Sequence, residues 1–261
     1  MPELPDMEAA RIYAESTSLN QKIETIIVRN SRVIRGLSHK DLEKALVGNS
    51  FVSTYRYGKH LFLKLDNDQW MTMHFGMTGN LKYYKDEDDA PPYERVAIHF
   101  DNGHALAFDC LRMLGRINLT DDPKHFIQSK NLGPDALEID QSSFIEKLKS
   151  KKGTNLKATL MEQELIAGIG NVYSDEILFQ AGLNPKKTPA ELDDATFSNL
   201  YNVTRNVLEI AVRSETNHEG IPETFLLVNR KKGKPCPKGN GKIKTMKVAG
   251  RTSYYCEACQ A

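Results

Sequence analysis

The sequence predicts an α+β chain of two domains: an N-terminal β-sandwich that carries an N-terminal helix, then a C-terminal helical domain that ends in a β-hairpin. Three observations carry this. Apolar residues alternate with period two as far as about residue 120, and from about residue 130 they recur at helical spacing. The segment 226–261 is strongly basic, with nine Lys and Arg against Glu257 alone. The 261 residues are 40% hydrophobic and 26% charged, which suits a globular protein. No run approaches the roughly 18 apolar residues of a membrane span, and no signal peptide opens the chain, so a cytoplasmic protein without a membrane partner is expected.

In order, residues 3–17 read as a short helix. Strands are expected in IETIIVRNSRVI, SFVSTYRYGKHLFLKLD, QWMTMHFGMTGNLKYY, RVAIHFD and HALAFDCLRMLGRINL, separated by turn signals such as DNDQ, DNGH and KDEDDAPP. That many short strands point to a sandwich or a flattened barrel. The helical stretches are SSFIEKLKSK, NLKATLMEQEL, VYSDEILFQAG and DATFSNLYNVTRNVLEIAVRS, with Asn155 and Ser174 near helix starts and Gly182 near a stop. The boundaries that follow are 1–130 for the sandwich, 131–152 for a linker and connecting helix, 153–225 for the helical domain and 226–261 for the basic finger.

The finger carries net +8, while the rest of the chain, with 26 basic and 33 acidic residues, carries −7. Such a module attracts a polyanion, nucleic acid first. Alternation at Ile243, Thr245 and Lys247, followed by Thr252–Tyr255, predicts a hairpin turning near Ala249–Gly250. Its cysteines, Cys236, Cys256 and Cys259, have the spacing of a zinc site, but Gly239 stands where the fourth would be. No histidine follows His218, Glu257 is badly directed, and Cys110 is expected to be buried and remote. Two readings stay open: three thiolates and a water holding a structural zinc, or a metal-free hairpin held by packing. No cofactor is expected in the chemistry itself.

At the other end, Met-Pro-Glu-Leu-Pro-Asp-Met-Glu suits a plain helix start, with proline and acidic residues in the first turn. It also suits catalysis. Removal of Met1 would leave Pro2 as a nucleophilic secondary amine able to form a Schiff base, with Glu3 as general acid and Asp6 or Glu8 orienting groups or assisting proton transfer.

MPELPDMEAAR, YGKHLFLKL, HFGMTGNL, NLGPDALE, LKATLMEQELIAGIGNVYSDEILFQAGLNP and GRTSYYCEAC span nearly the whole chain. Together they resemble the formamidopyrimidine-DNA glycosylase and endonuclease VIII family of base-excision repair enzymes. The resemblance implies a helix–two-turn–helix element in the second domain and double-stranded DNA with oxidised bases or abasic sites as partner, bound by a monomer in an interdomain cleft. It implies a bifunctional glycosylase/AP lyase in which Pro2 forms the Schiff base, Glu3 is the acid and Lys59 joins them in the site. Lys59, His74, Asn171 and Arg251 would bind phosphates. Met77, Arg112 and Leu114 would wedge into the duplex where the base is extruded, unless Met77 and Leu114 are core residues. Three departures stand out. Asp6 replaces a glutamate, Leu114 an aromatic, and the segment SETNHEGIPETFLLVNRKKGKPC is short. The last predicts weak recognition of 8-oxoguanine, with formamidopyrimidines, hydantoins or oxidised pyrimidines preferred. Endonuclease VIII-like specificity is the alternative, as is a non-catalytic binder of damaged DNA should Pro2 stay covered.

Overall fold

The computed structural model describes residues 1–217, 220–239 and 241–261. Contacts divide the chain into two compact units, residues 1–2 with 6–130 and residues 3–5 with 131–261.

Alternating strands can bury one face only by stacking on a second sheet, and the first unit does this. One antiparallel sheet has the order β1 (Ile23–Val28), β6 (Glu94–Phe100), β7 (Ala105–Cys110), β5 (Gly79–Tyr84). The other runs β2 (Phe51–Tyr57), β3 (His60–Leu65), β4 (Trp70–His74), β8 (Arg116–Thr120). Leu61, Leu63, Met71 and Met73 from the second sheet meet Val96, Ile98, Leu106 and Phe108 from the first in one core. Two separate sheets make this a sandwich and not a barrel. The pairing Tyr57↔His60 closes β2 on β3 through Gly58–Lys59, where Gly58 has φ +55°.

Two helices lie where strands or loops were expected. In α2 (His39–Leu46), Ser38 and Asp41 form a reciprocal capping box and Leu42, Ala45 and Leu46 are buried. In α3 (Pro123–Ser129), Asp122 caps a helix that opens on proline. Both start signals are in the sequence, but the short apolar runs behind them read equally well as strand. The N-terminal helix, α1 (Leu4–Ser18), is placed as expected.

In the second unit, α4 (Gln141–Lys149) and α5 (Leu156–Met161) are capped by Asp140 and Asn155. After them come α6 (Asn171–Gln180) and the long α7 (Asp194–Asn217). Gly182, at φ +72°, follows α6, while Ser174 lies inside its first turn and Gly170 takes the cap position. The finger is a hairpin of β9 (Lys244–Val248) and β10 (Arg251–Tyr255). Ala249 and Gly250 both have positive φ at its tip, the turn that matches the natural twist of two strands. No helix among the described residues is long and apolar enough to cross a membrane.

The centre of this unit is α6, buried continuously from Tyr173 to Phe179 despite carrying Asp175 and Glu176. Charges so placed need partners. Asp175 accepts from Lys157 Nζ at 2.6 Å, Ser253 Oγ at 3.0 Å, the Tyr254 N–H at 3.1 Å and Arg230 at 2.6 and 3.2 Å. Arg230 also lies over the Tyr254 ring. Burial pushes the Lys157 pKa down, opposed by the charge of Asp175. Glu176, whose pKa burial raises, accepts from the N–H groups of Leu226 and Leu227. At the helix C-terminus, Lys238 donates to the carbonyls of Phe179 and Gln180, where the helix dipole favours a cation. The finger is therefore fastened along α6 by polar contacts. Asp175→Ala strands the buried Lys157 charge and is expected to cost about 3–5 kcal/mol in urea unfolding. Asp175→Asn, which keeps the shape, is expected to fall between.

Candidate functional site

Glu3, fully buried, faces the start of α6. Its Oε2 accepts from the Gly170 N–H at 2.7 Å and the Tyr173 N–H at 3.2 Å, and its Oε1 from the Val172 N–H at 2.8 Å. The next residue, Leu4, donates its N–H to the Gly168 carbonyl and is buried in the second unit's core. Close approach explains the glycines. A Cβ on Gly170 would sit 2.3 Å from Glu3 Cδ, and one on Gly168, which has φ +116°, 2.6 Å from Leu4 Cδ1. The first-turn N–H groups of a helix form an anion site, and here the chain fills it with its own carboxylate. The N–H groups of Gly170, Val172 and Tyr173 are thus spent on Glu3. Asn171 opens α6, and its Oδ1 is buried with no hydrogen-bond partner. Its carbonyl accepts from Arg230, which the sequence reading missed because only the folded chain brings residue 230 beside residue 171. Arg251 is exposed at the hairpin tip.

In the first unit, His74 and Lys59 come together with groups not foreseen. His74 pairs with Arg116 across β4 and β8, and its ring lies 5.1 Å from that of His60. Burial first, then the charges of Lys59 and Arg116, push the His74 pKa down to about 4. Burial, His74 and the cations Lys130, Arg116 and Lys59 take His60 to about 3. His74 is therefore neutral near pH 7. Its Nδ1 accepts from the Gly76 N–H at 3.1 Å, so the ring proton sits on Nε2, which can donate to an anion. The strand register that adds Arg116 cannot be read from local sequence.

Met77, Arg112 and Leu114 sit on two touching loops of the same unit. A Cβ on Gly76 would lie 2.5 Å from the Leu114 backbone, and Thr78 Oγ1 accepts the Arg112 N–H. Arg95 braces the second loop through the carbonyls of Cys110 and Leu111. Met77 is 39% exposed and Leu114 48%, so neither is a core residue. Leu111, also 48% exposed, adds a third apolar side chain. Glu8 is held by Arg11 and Arg56, one on each of its oxygens.

The finger's thiols converge. Sγ atoms of Cys236, Cys256 and Cys259 lie within 4.8 Å of one another, a group that could hold a metal ion. Burial, then the neighbouring thiols, pushes the Cys259 pKa up to about 12. Around Gly239 a Cβ would meet nothing within 4 Å, and Glu257 is paired with Lys244. A closed structural zinc site needs four protein ligands, and three do not make one. Cys110 is buried in the first core.

Gly170→Ala is expected to displace Glu3. A misplacement of about 1 Å costs on the order of 100-fold in turnover, checked by single-turnover kinetics. Stability is also expected to depend on pH. When unfolded, His60 and His74 regain their ordinary pKa near 6.5, so the unfolded chain binds more protons below it. Stability is thus lost as pH falls from about 6.5 towards about 4. His60→Phe, among Phe62 and Phe126, should flatten the fall of Tm between pH 7 and pH 4.5.

Residues 1–117 match the formamidopyrimidine-DNA glycosylase N-terminal domain, and residues 132–221 the formamidopyrimidine-DNA glycosylase H2TH domain. Among curated relatives, the formamidopyrimidine-DNA glycosylase of Pelotomaculum thermopropionicum is 31% identical over 100% of this chain and 99% of its own. That of Arabidopsis thaliana is 33% identical over 98% of this chain and 70% of its own. A solved structure of the Lactococcus lactis enzyme, non-covalently bound to DNA with an AP site, aligns with TM-score 0.88 at 26% identity, covering 99% of each chain. Another, the same enzyme with FAPY-dG DNA, gives the same TM-score, identity and coverage. With family models matching residues 1–117 and 132–221, and relatives 31% and 33% identical over nearly its whole length, the chain belongs to the formamidopyrimidine-DNA glycosylase family.

Proposed function

We propose that the protein is a bifunctional DNA glycosylase and AP lyase that removes oxidised bases from duplex DNA. The supporting observation is the fixed carboxylate of Glu3, one residue from Pro2 and held by three backbone N–H groups. The relatives, which are formamidopyrimidine-DNA glycosylases, and the damaged DNA bound in the solved Lactococcus lactis structures support the same reading.

Once Met1 is removed, the Pro2 nitrogen is a secondary amine and attacks C1′ of the damaged nucleotide. The base leaves with the electrons of the glycosidic bond. Glu3 takes the proton released by the attacking amine and returns it to the ring oxygen as the C1′–O4′ bond opens, leaving an iminium. Before it takes that proton, and again once it has given it up, its negative charge offsets the cationic sugar. The iminium acidifies C2′, whose proton departs as the 3′-phosphate is expelled. Loss of a second proton expels the 5′-phosphate, and water releases Pro2. Lys59, His74 through Nε2–H, Asn171 and Arg251 bind phosphates about the lesion, and Met77, Arg112 and Leu114 fill the gap left by the extruded base. No step calls on a metal. The finger contributes Arg251, and its packing on α6 suits a hairpin that folds without zinc. The protein acts as a monomer. Formamidopyrimidines, hydantoins and oxidised pyrimidines are preferred to 8-oxoguanine. The short segment behind that preference includes His218 and Glu219, which lie outside the described residues.

Borohydride trapping on duplexes carrying each lesion tests this. A covalent adduct is expected with the mature protein and none with Pro2→Gly, which should still bind a duplex with a stable abasic analogue. Tight binding of damaged DNA with no adduct from correctly processed protein would leave a binder and no enzyme. Adducts confined to oxidised pyrimidines would show endonuclease VIII-like specificity.

A further inference from the structure

We infer that the finger holds a three-coordinate thiophilic metal ion, with monovalent copper as the fitting cation, where four-coordinate zinc does not fit. The three sulfurs stand together. Cys236 and Cys259 place their sulfurs 3.5 Å apart, and the third sulfur, from Cys256, completes a set within 4.8 Å. Two tight turns aim them. The Gly239 N–H donates to the Cys236 carbonyl, and the N–H groups of Cys259 and Gln260 donate to that of Cys256. Gln260 returns the support through its side chain, accepting the Cys256 N–H and donating to the Leu183 carbonyl. Cys236 and Cys256 are buried against Phe179, Leu226 and Ile243, so two of the three thiols are shielded from water. Cys259 is partly exposed and gives a way in.

Among the described residues no side chain fills the fourth corner. Gly239 and Gly241 have φ of +79° and +121°, a Cβ on Gly241 would lie 4.0 Å from Cys256 Sγ, and one on Gly239 would meet nothing. Among the described residues no histidine or carboxylate joins the three thiols. Soft thiolates select monovalent copper, zinc or iron–sulfur clusters. Zinc wants four ligands in a closed site, and clusters want four cysteines. A d10 monovalent copper ion is content with three sulfurs in a plane. On binding, three S–H bonds give way to three Cu–S bonds and three protons pass to solvent. The copper is unchanged in oxidation state, and affinity rises with pH. The net charge of −2 on the copper trithiolate sits in a segment rich in lysine, with Lys234, Lys238, Lys242, Lys244 and Lys247 around it in sequence.

The full-length reduced protein, titrated without oxygen against a chromogenic copper(I) chelator, tests this. One equivalent of copper is expected to move to the protein, with three sulfurs and no nitrogen in the X-ray absorption spectrum. Cys256→Ser should lose that equivalent and Cys110→Ser should keep it. Should Cys256→Ser fail to fold, Cys259→Ser at the partly exposed position serves instead. Zinc should be surrendered to a competing chelator by the unaltered protein and retained by Gly239→Cys. Copper left with the chelator, copper lost in Cys110→Ser, or zinc held by the unaltered protein as firmly as by Gly239→Cys would each overturn the inference.

Discussion

Everything in the second unit hangs on a helix that ought to be unwelcome in a core. Seven consecutive residues of α6 are buried, and two of them are acids. A helix enclosed on all sides is normally apolar, so the acids persist only because other segments supply donors. Lys157 and Arg230 neutralise Asp175, and strand β10 adds a hydroxyl and a backbone N–H. The same helix uses its N-terminus to grip Glu3 and its C-terminal carbonyls to grip Lys238. One buried element thereby positions the residue beside Pro2, the phosphate-binding candidate Asn171 and the hairpin bearing Arg251.

This division of labour explains how a finger can lose a zinc ligand and remain a finger. In a small metal-dependent module the binding energy of the metal is the folding energy. Here the hairpin borrows stability from α6 through Asp175, Glu176 and Lys238, and from a small core of Phe179, Leu226 and Ile243. Two of the three thiols, Cys236 and Cys256, belong to that core as well, so the hairpin keeps its place whatever they bind.

Much of this was legible in the sequence, and the exceptions share a cause. Alternation marked the strands, the Ala249–Gly250 turn announced the hairpin, and Asn155 marked a helix start. The quoted motifs pointed to Glu3 and Asn171. Helix α2 escaped because its Ser38–Asp41 box precedes an apolar run too short to fix a period. What could not be read was anything set by distant pairing. The register that puts Arg116 beside His74, the meeting of Arg230 with Asp175, and the carboxylate that claims the α6 N–H groups all join residues far apart in the chain. Gly168 and Gly170 likewise show no purpose in the local sequence. Their space is taken by Leu4 and Glu3.

The placement of Glu3 and Leu4 also separates two properties that usually travel together. Folding recognises side chains from the third residue onward, whereas the proposed reaction depends on the nitrogen of the second. A fusion or affinity tag joined ahead of Pro2 would leave Glu3 in its clamp and Leu4 in its core, yet turn the amine into an amide. Purified that way, the protein would behave as a sound, lesion-holding but chemically silent reagent, and a screen for activity would discard it for a reason unrelated to its fold.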